Sequence, residues 1–94
     1  MMQANKIVAQ VPNYLMTVKR WSSSGWSPAY KDDAYKEYVM FDLFIEKTSH
    51  GTFIMSCVSK DNVLNDDEEH QTLFKAKERA RELWGVQVFE WLPV

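Results

Sequence analysis

Cysteine, glycine and proline are scarce in this 94-residue chain, and each scarcity excludes a class of protein. The single cysteine, Cys57, cannot form an intramolecular disulfide, so a reducing compartment is expected. With 3 glycines, 3 prolines and 46% hydrophobic residues, the chain falls outside the disordered and low-complexity classes. The length corresponds to a single domain over residues 1–94, because no stretch has the length and polarity of a linker.

Long apolar runs and an excess of charge are also missing. No segment approaches the roughly 20 apolar residues of a membrane-spanning helix. Residues 1–10 contain one lysine and no apolar stretch of the kind found in signal peptides. The formal net charge of -2 predicts no strong overall field toward nucleic acid or membrane. We therefore expect a cytoplasmic protein that does not bind membranes.

The clearest secondary-structure signal is a β-hairpin formed by residues 37–47 and 52–60, with the turn at 48–51. Residues at alternate positions of the first arm are expected to face opposite sides of a sheet. One set is Val39, Phe41, Leu43 and Ile45; the other is Met40, Asp42, Phe44 and Glu46. This hairpin is the core of the predicted sheet.

The remaining elements are predicted from composition and helical spacing. Residues 14–21 favour a strand because Tyr, Val, Thr and Trp suit a pleated surface, and residues 1–12 are an N-terminal arm or short strand. After a polar connection, Asp66 and Glu69 form a capping-box pattern that predicts a helix start. One face of that helix is apolar, through Leu73, Ala76, Ala80, Leu83 and Trp84. Gly85 predicts the end of the helix. Residues 86–92 are predicted to form a final strand.

The order β-ββ-α-β predicts an α+β fold, a mainly antiparallel sheet of about four strands with one helix packed on one face. Because one helix covers only one face, the opposite face is expected to expose Phe44, Phe89 and Trp91. So large an apolar face needs a cover, either this chain's own loop or arm, a second copy in a homodimer, or another protein.

Residues 22–36 form a predicted long loop that is rich in aromatic residues, and loops of this length are often functional. The predicted partner-binding residues are Trp21, Trp26, Tyr30, Tyr35, Phe44, Phe89 and Trp91. We interpret the chain as a small non-enzymatic protein-binding module that blocks a partner's surface. Small domains of this kind are frequent among inhibitory and accessory proteins of phages and other mobile elements.

Single-stranded nucleic acid is the alternative partner, through the basic and aromatic segment 19–36. Its cations are Lys19, Arg20, Lys31 and Lys36, interleaved with aromatic rings on which bases could stack. Asp32 and Asp33 interrupt the positive charge, so protein binding is the preferred interpretation.

Catalytic and metal-binding patterns are weak. Cys57 with His50 or His70 is the conceivable nucleophile and base, yet Cys57 follows Phe53 and Met55 on one strand face, as a buried structural cysteine does. The acidic run at 61–70 lacks the glycine and spacing of a calcium loop. The isolated glycines do not form a phosphate-binding loop. We expect no enzymatic activity, no metal and no cofactor.

Overall fold

A computed structural model describes residues 5–23, 25–30 and 32–94. The elements in chain order are β1 (Lys6–Arg20), β2 (Trp26–Pro28), β3 (Glu37–Lys47), β4 (Phe53–Ser59), β5 (Asn65–His70), α1 (Leu73–Trp84), a 3-10 turn (Val88–Glu90) and β6 (Leu92–Pro93). The strands form one antiparallel sheet in the order β2-β1-β3-β4-β5, and β6 pairs with β1. The α+β fold with one helix on an antiparallel sheet is confirmed. The predicted number of strands was too low.

β1 is longer than the predicted strand at 14–21, because the N-terminal segment continues the same strand. Its pairing with β3 shifts register between Val11 and Tyr14, where Pro12 lies in a bulge. Proline has no N–H to give to a ladder, and a bulge is a place in a sheet that accepts it. Asn13 has a positive φ of 57° in this bulge, and its N–H donates to Asp42 Oδ1 at 3.1 Å.

The hairpin and the helix build the core as expected. Phe41, Leu43 and Ile45 of β3 are buried, and Met40 on the other side of the strand is exposed. Two glycines also lie where the sequence predicts a hairpin turn and a helix end. Gly51 has a φ of 83° in the hairpin turn, and Gly85 has a φ of 77° at the end of the helix. The helix packs through Ala76, Ala80 and Trp84 onto the same side of the sheet as Phe41.

The predicted helix start at Asp66 was wrong. Residues 65–70 form strand β5 beside β4, with Cys57 opposite Asp66. A polar turn joins the two strands: Ser59 Oγ accepts from the Leu64 N–H at 2.9 Å, and buried Leu64 anchors the turn. The helix begins after Thr72, whose side chain accepts from the Lys75 N–H at 3.1 Å. Pairing with β4 overrides the poor strand propensity of Asp, Asn and Glu.

The predicted strand at 86–92 was also wrong. Val86 and Trp91 are both buried although they are five positions apart, which a strand with a period of two would place on opposite faces. The 3-10 turn between them brings both side chains to the core side. A hydrogen bond from the Gln87 N–H to Glu90 Oε1, 2.8 Å long, stabilises this turn. A two-residue pairing of Leu92 and Pro93 with β1 remains.

Candidate binding surfaces

The face of the sheet opposite α1 carries large exposed side chains on its two central strands. Leu15 of β1 lies directly opposite Met40 of β3, and Thr17 lies opposite Tyr38. Leu15, Tyr38 and Met40 are 55%, 64% and 38% exposed, and we call these three residues the open-face strip. Met40 thus faces away from the helix, on the side of β3 opposite buried Phe41. Leu15 and Tyr38 were not predicted as site residues, although the period-two pattern puts Tyr38 on the face of Met40.

Tyr30 and Tyr35 lie in the segment that follows β2, and both are exposed. The Ala29 N–H donates to the Thr17 carbonyl at 2.8 Å, which brings Tyr30 beside β1. The Tyr30 N–H donates to Asp33 Oδ2 at 2.8 Å, and the Asp33 N–H donates to the Tyr30 carbonyl at 3.1 Å. Asp33 therefore holds this part of the aromatic segment in a defined turn.

Trp26 and Trp21 differ sharply although both belong to the predicted partner-binding set. The Trp26 ring stacks on buried Phe41, with centroids 5.2 Å apart and planes at 29°. Its Nε1–H donates to the Asn65 carbonyl at 3.2 Å, which links the two ends of the curled sheet. Trp21 is 69% exposed. Within segment 19–36, Trp26 therefore covers part of the core by packing on Phe41, whereas Trp21 lies at the surface.

Phe44, Phe89 and Trp91 do not come together on one open face. Trp91 is 5% exposed and belongs to the core, because the C-terminal segment turns inward after the 3-10 turn. Phe89 lies on that turn and is largely exposed. Phe44 lies on β3 opposite Gln10 and is half-buried. The expectation that all three residues are exposed together on one face was therefore wrong, because Trp91 is buried and Phe44 is half-buried on β3.

The cations of the alternative nucleic-acid site are engaged with acceptors of the same chain. Lys19 Nζ lies 3.7 Å from Asp33 Oδ1, and Arg20 Nε lies 2.9 Å from Glu37 Oε1. Lys36 Nζ donates to the Asp33 carbonyl at 3.0 Å. Lys31 lies outside the described residues. The two ion pairs of Lys19 and Arg20 offset part of the positive charge that the segment offers to phosphates.

Cys57 is fully buried in the middle of β4. Burial, followed by the nearby negative charge of Asp66, raises the pKa of its thiol to about 12. His70 lies opposite Phe53 rather than Cys57, and His50 lies in the exposed hairpin turn. A thiol in this state is a poor nucleophile, because the thiolate is the reactive form.

We expect native Cys57 to resist alkylation by iodoacetamide at pH 8, where its raised pKa keeps it protonated and its burial blocks access. Unfolding in urea should expose the thiol and give complete modification, which mass spectrometry of the intact chain would measure. Rapid modification of the folded protein would contradict this prediction and would reopen the role of Cys57 as a nucleophile.

The acidic strand β5 lies at an edge of the sheet. Glu68 accepts from Arg79 Nε at 3.0 Å and lies 2.8 Å from His70 Nε2. Burial raises the pKa of the Asp66 carboxyl, and the negative charges of Asp67 and Glu68 raise it further. No group of three or more His, Cys, Asp or Glu residues within 5–23, 25–30 and 32–94 is arranged to hold a metal ion. In those same ranges, no helix has both the length and the apolar content needed to cross a membrane.

Comparisons with protein-family models, with curated proteins and with solved structures give no match to this chain. Its class is thus defined by its own structure: a small α+β domain in which a curled antiparallel sheet carries one helix on one face and open side chains on the other.

Proposed function

We propose that this chain is a small non-enzymatic module that binds another protein and acts by occupying part of that protein's surface. The observation that carries the proposal is the open-face strip: Leu15, Tyr38 and Met40 are large, exposed and adjacent in register. Aromatic and aliphatic anchors of this kind supply most of the binding energy of protein interfaces. They lie on β1 and β3, which form the longest pairing of the sheet, so the anchors are held in place before a partner arrives.

Tyr30 lies near Leu15 of the open-face strip, in a groove that residues 81–85 at the end of α1 also line. It is exposed, and the Ala29–Thr17 hydrogen bond places it next to β1. The turn held by Asp33 fixes the backbone at Tyr30, which reduces the backbone entropy lost when a partner binds. A partner that covers the strip is therefore expected to contact Tyr30 as well.

Nucleic acid is the less supported alternative. The basic segment has its described cations bound to Asp33 and Glu37, and release of these contacts would oppose phosphate binding. An apolar strip also has little to offer a phosphate backbone, because that interaction is dominated by unpaired cations.

The test is affinity capture from a lysate of the native host, with and without nuclease, using wild-type protein and two matched variants. Tyr38→Ser removes an aromatic ring from the strip, and Phe74→Ser removes an equally exposed ring from α1. A protein retained by wild type and by Phe74→Ser after nuclease, but weakened about tenfold or more by Tyr38→Ser, is the expected result. Both variants should keep the circular dichroism spectrum of the wild type.

Two outcomes would contradict the proposal. Loss of all captured material after nuclease would favour the nucleic-acid alternative. Equal retention by Tyr38→Ser and wild type would show that the strip is not the binding surface.

A further inference from the structure

Strand β5 has one free edge. It pairs with β4 on one side, and no strand in the described part of the chain pairs with its other side. Hydrogen bonding alternates along an antiparallel pair, and the Ser59 N–H donates to the Leu64 carbonyl at 2.8 Å, which sets the phase. Asn65, Asp67 and Glu69 therefore direct their backbone N–H and C=O groups away from β4.

One contact supports this phase directly. The Asn65 carbonyl accepts from Trp26 Nε1 on the β2 side of the strand, so that carbonyl points outward. An extended segment laid along β5 would find the backbone groups of Asp67 and Glu69 in the same orientation. This is the geometry of strand addition, in which backbone hydrogen bonds supply affinity and side chains supply specificity.

The side chains along the β5 edge are acidic and therefore favour an added strand that carries positive charge. Four consecutive positions, Asp66 to Glu69, carry carboxylates. In the described part of the chain, Glu68 is paired with Arg79, and Asp66, Asp67 and Glu69 have no cation within 4.0 Å. Cross-strand neighbours of opposite charge stabilise a sheet, and like charges destabilise it. A second copy of this chain would place acid against acid, which is how charged edges prevent self-association.

Two tryptophan side chains lie next to the first residues of the β5 edge. Trp21 and Trp26 line the cleft between β2 and β5 together with Asn65 and Asp66. The Trp21 ring is seated on Gly25, where an added Cβ would lie 2.2 Å from its Nε1. Indole faces attract the cationic heads of arginine and lysine, and so the cleft offers both a carboxylate and a ring to a basic side chain.

We infer that the free edge of β5 binds an extended segment of another protein that is rich in arginine and lysine, and adds it to the sheet as a further strand. The outward backbone N–H and C=O groups of Asp67 and Glu69 pair with the segment beyond the Trp26–Asn65 contact, and the carboxylates face its cations. This surface is separate from the open-face strip, so either site can fail without the other.

The test uses the isotope-labelled 94-residue chain and a soluble peptide about ten residues long, enough to span a strand. Arginine alternates with threonine in the probe, and glutamate replaces arginine in the control peptide. The basic peptide should slow hydrogen exchange of the Asp67 and Glu69 amides by about tenfold or more at saturation, because strand addition protects outward-facing N–H groups. The acidic peptide should leave both amides unchanged.

Matched charge variants test the role of the carboxylates. Asp67→Asn combined with Glu69→Gln keeps the backbone and should weaken the basic peptide by about tenfold. The control, Asp32→Asn combined with Glu78→Gln, removes the same charge at exposed positions outside β5 and should change affinity by less than about twofold.

Three results would overturn the inference: no binding of the basic peptide, binding without protection of the two amides, or an equal loss of affinity in both double variants. Binding without protection of the amides would mean that the acidic strand attracts basic peptides by charge alone, without strand addition.

Discussion

Trp84→Ala is expected to lower the free energy of unfolding by about 3–5 kcal/mol, the range found when a large core side chain is truncated. Trp84 is the last residue of α1, is 5% exposed and lies in the core cluster. Its carbonyl also accepts from the Tyr14 hydroxyl at 3.2 Å, so the end of the helix is bonded to β1. Urea unfolding followed by circular dichroism measures the loss.

Trp21→Ala is the matched control, because it deletes the same side chain from a site that is 69% exposed. Its expected effect is within about 0.5–1 kcal/mol of zero. Similar losses in the two variants would mean that burial against the sheet is not what makes Trp84 important.

Trp26→Ala is expected to cost about 2–3 kcal/mol of stability, through the lost packing of a half-buried ring and one hydrogen bond. The ring covers Phe41, which is fully buried, and the indole N–H bonds to β5. The sequence suggested a partner-binding role for Trp26. Its position over the core makes stability the first property to change.

Trp26→Phe separates the two contributions to that loss. Phenylalanine keeps a ring over Phe41 and removes the bond to the Asn65 carbonyl, so it should cost about 1 kcal/mol. If Trp26→Ala unfolds at the urea concentration of the wild type, the stack contributes nothing and Trp26 returns to the set of surface residues available to a partner.

The hairpin was predictable because its information is local. Alternation in β3 assigns Phe41, Leu43 and Ile45 to one face, and the short turn with Gly51 fixes which residues pair with β4. The burial of Cys57 followed from the same pattern. The apolar side of α1 followed from a different local pattern, the spacing of about 3.6 residues per turn, which identified Trp84 as a core residue.

β5 escaped prediction because an acidic edge strand has no alternation of apolar and polar residues. Its carboxylates resemble the acidic residues that favour the first turn of a helix. Only the pairing with β4 shows that these residues form a strand. The C-terminal segment failed for a different reason. Both Val86 and Trp91 are buried, and only a compact turn between them places them on one side.

The exposed Trp21 and the packed Trp26 show the same limit within one segment. Both are aromatic, both neighbour turn residues, and local sequence does not separate them. What separates them is Phe41, fifteen positions beyond Trp26 in the chain, and Asn65, whose carbonyl receives the indole N–H across a sequence separation of 39.

From sequence alone, the α+β class, the central hairpin, the amphipathic helix and the buried cysteine could be derived, because hydrophobic periodicity reports which face of an element is buried. The tertiary structure decided the extra strands, the partner of each edge and the choice between core and surface for the aromatic residues. Those features depend on contacts between residues far apart in the chain, such as Tyr14 with Trp84 at a separation of 70, and no local pattern encodes them.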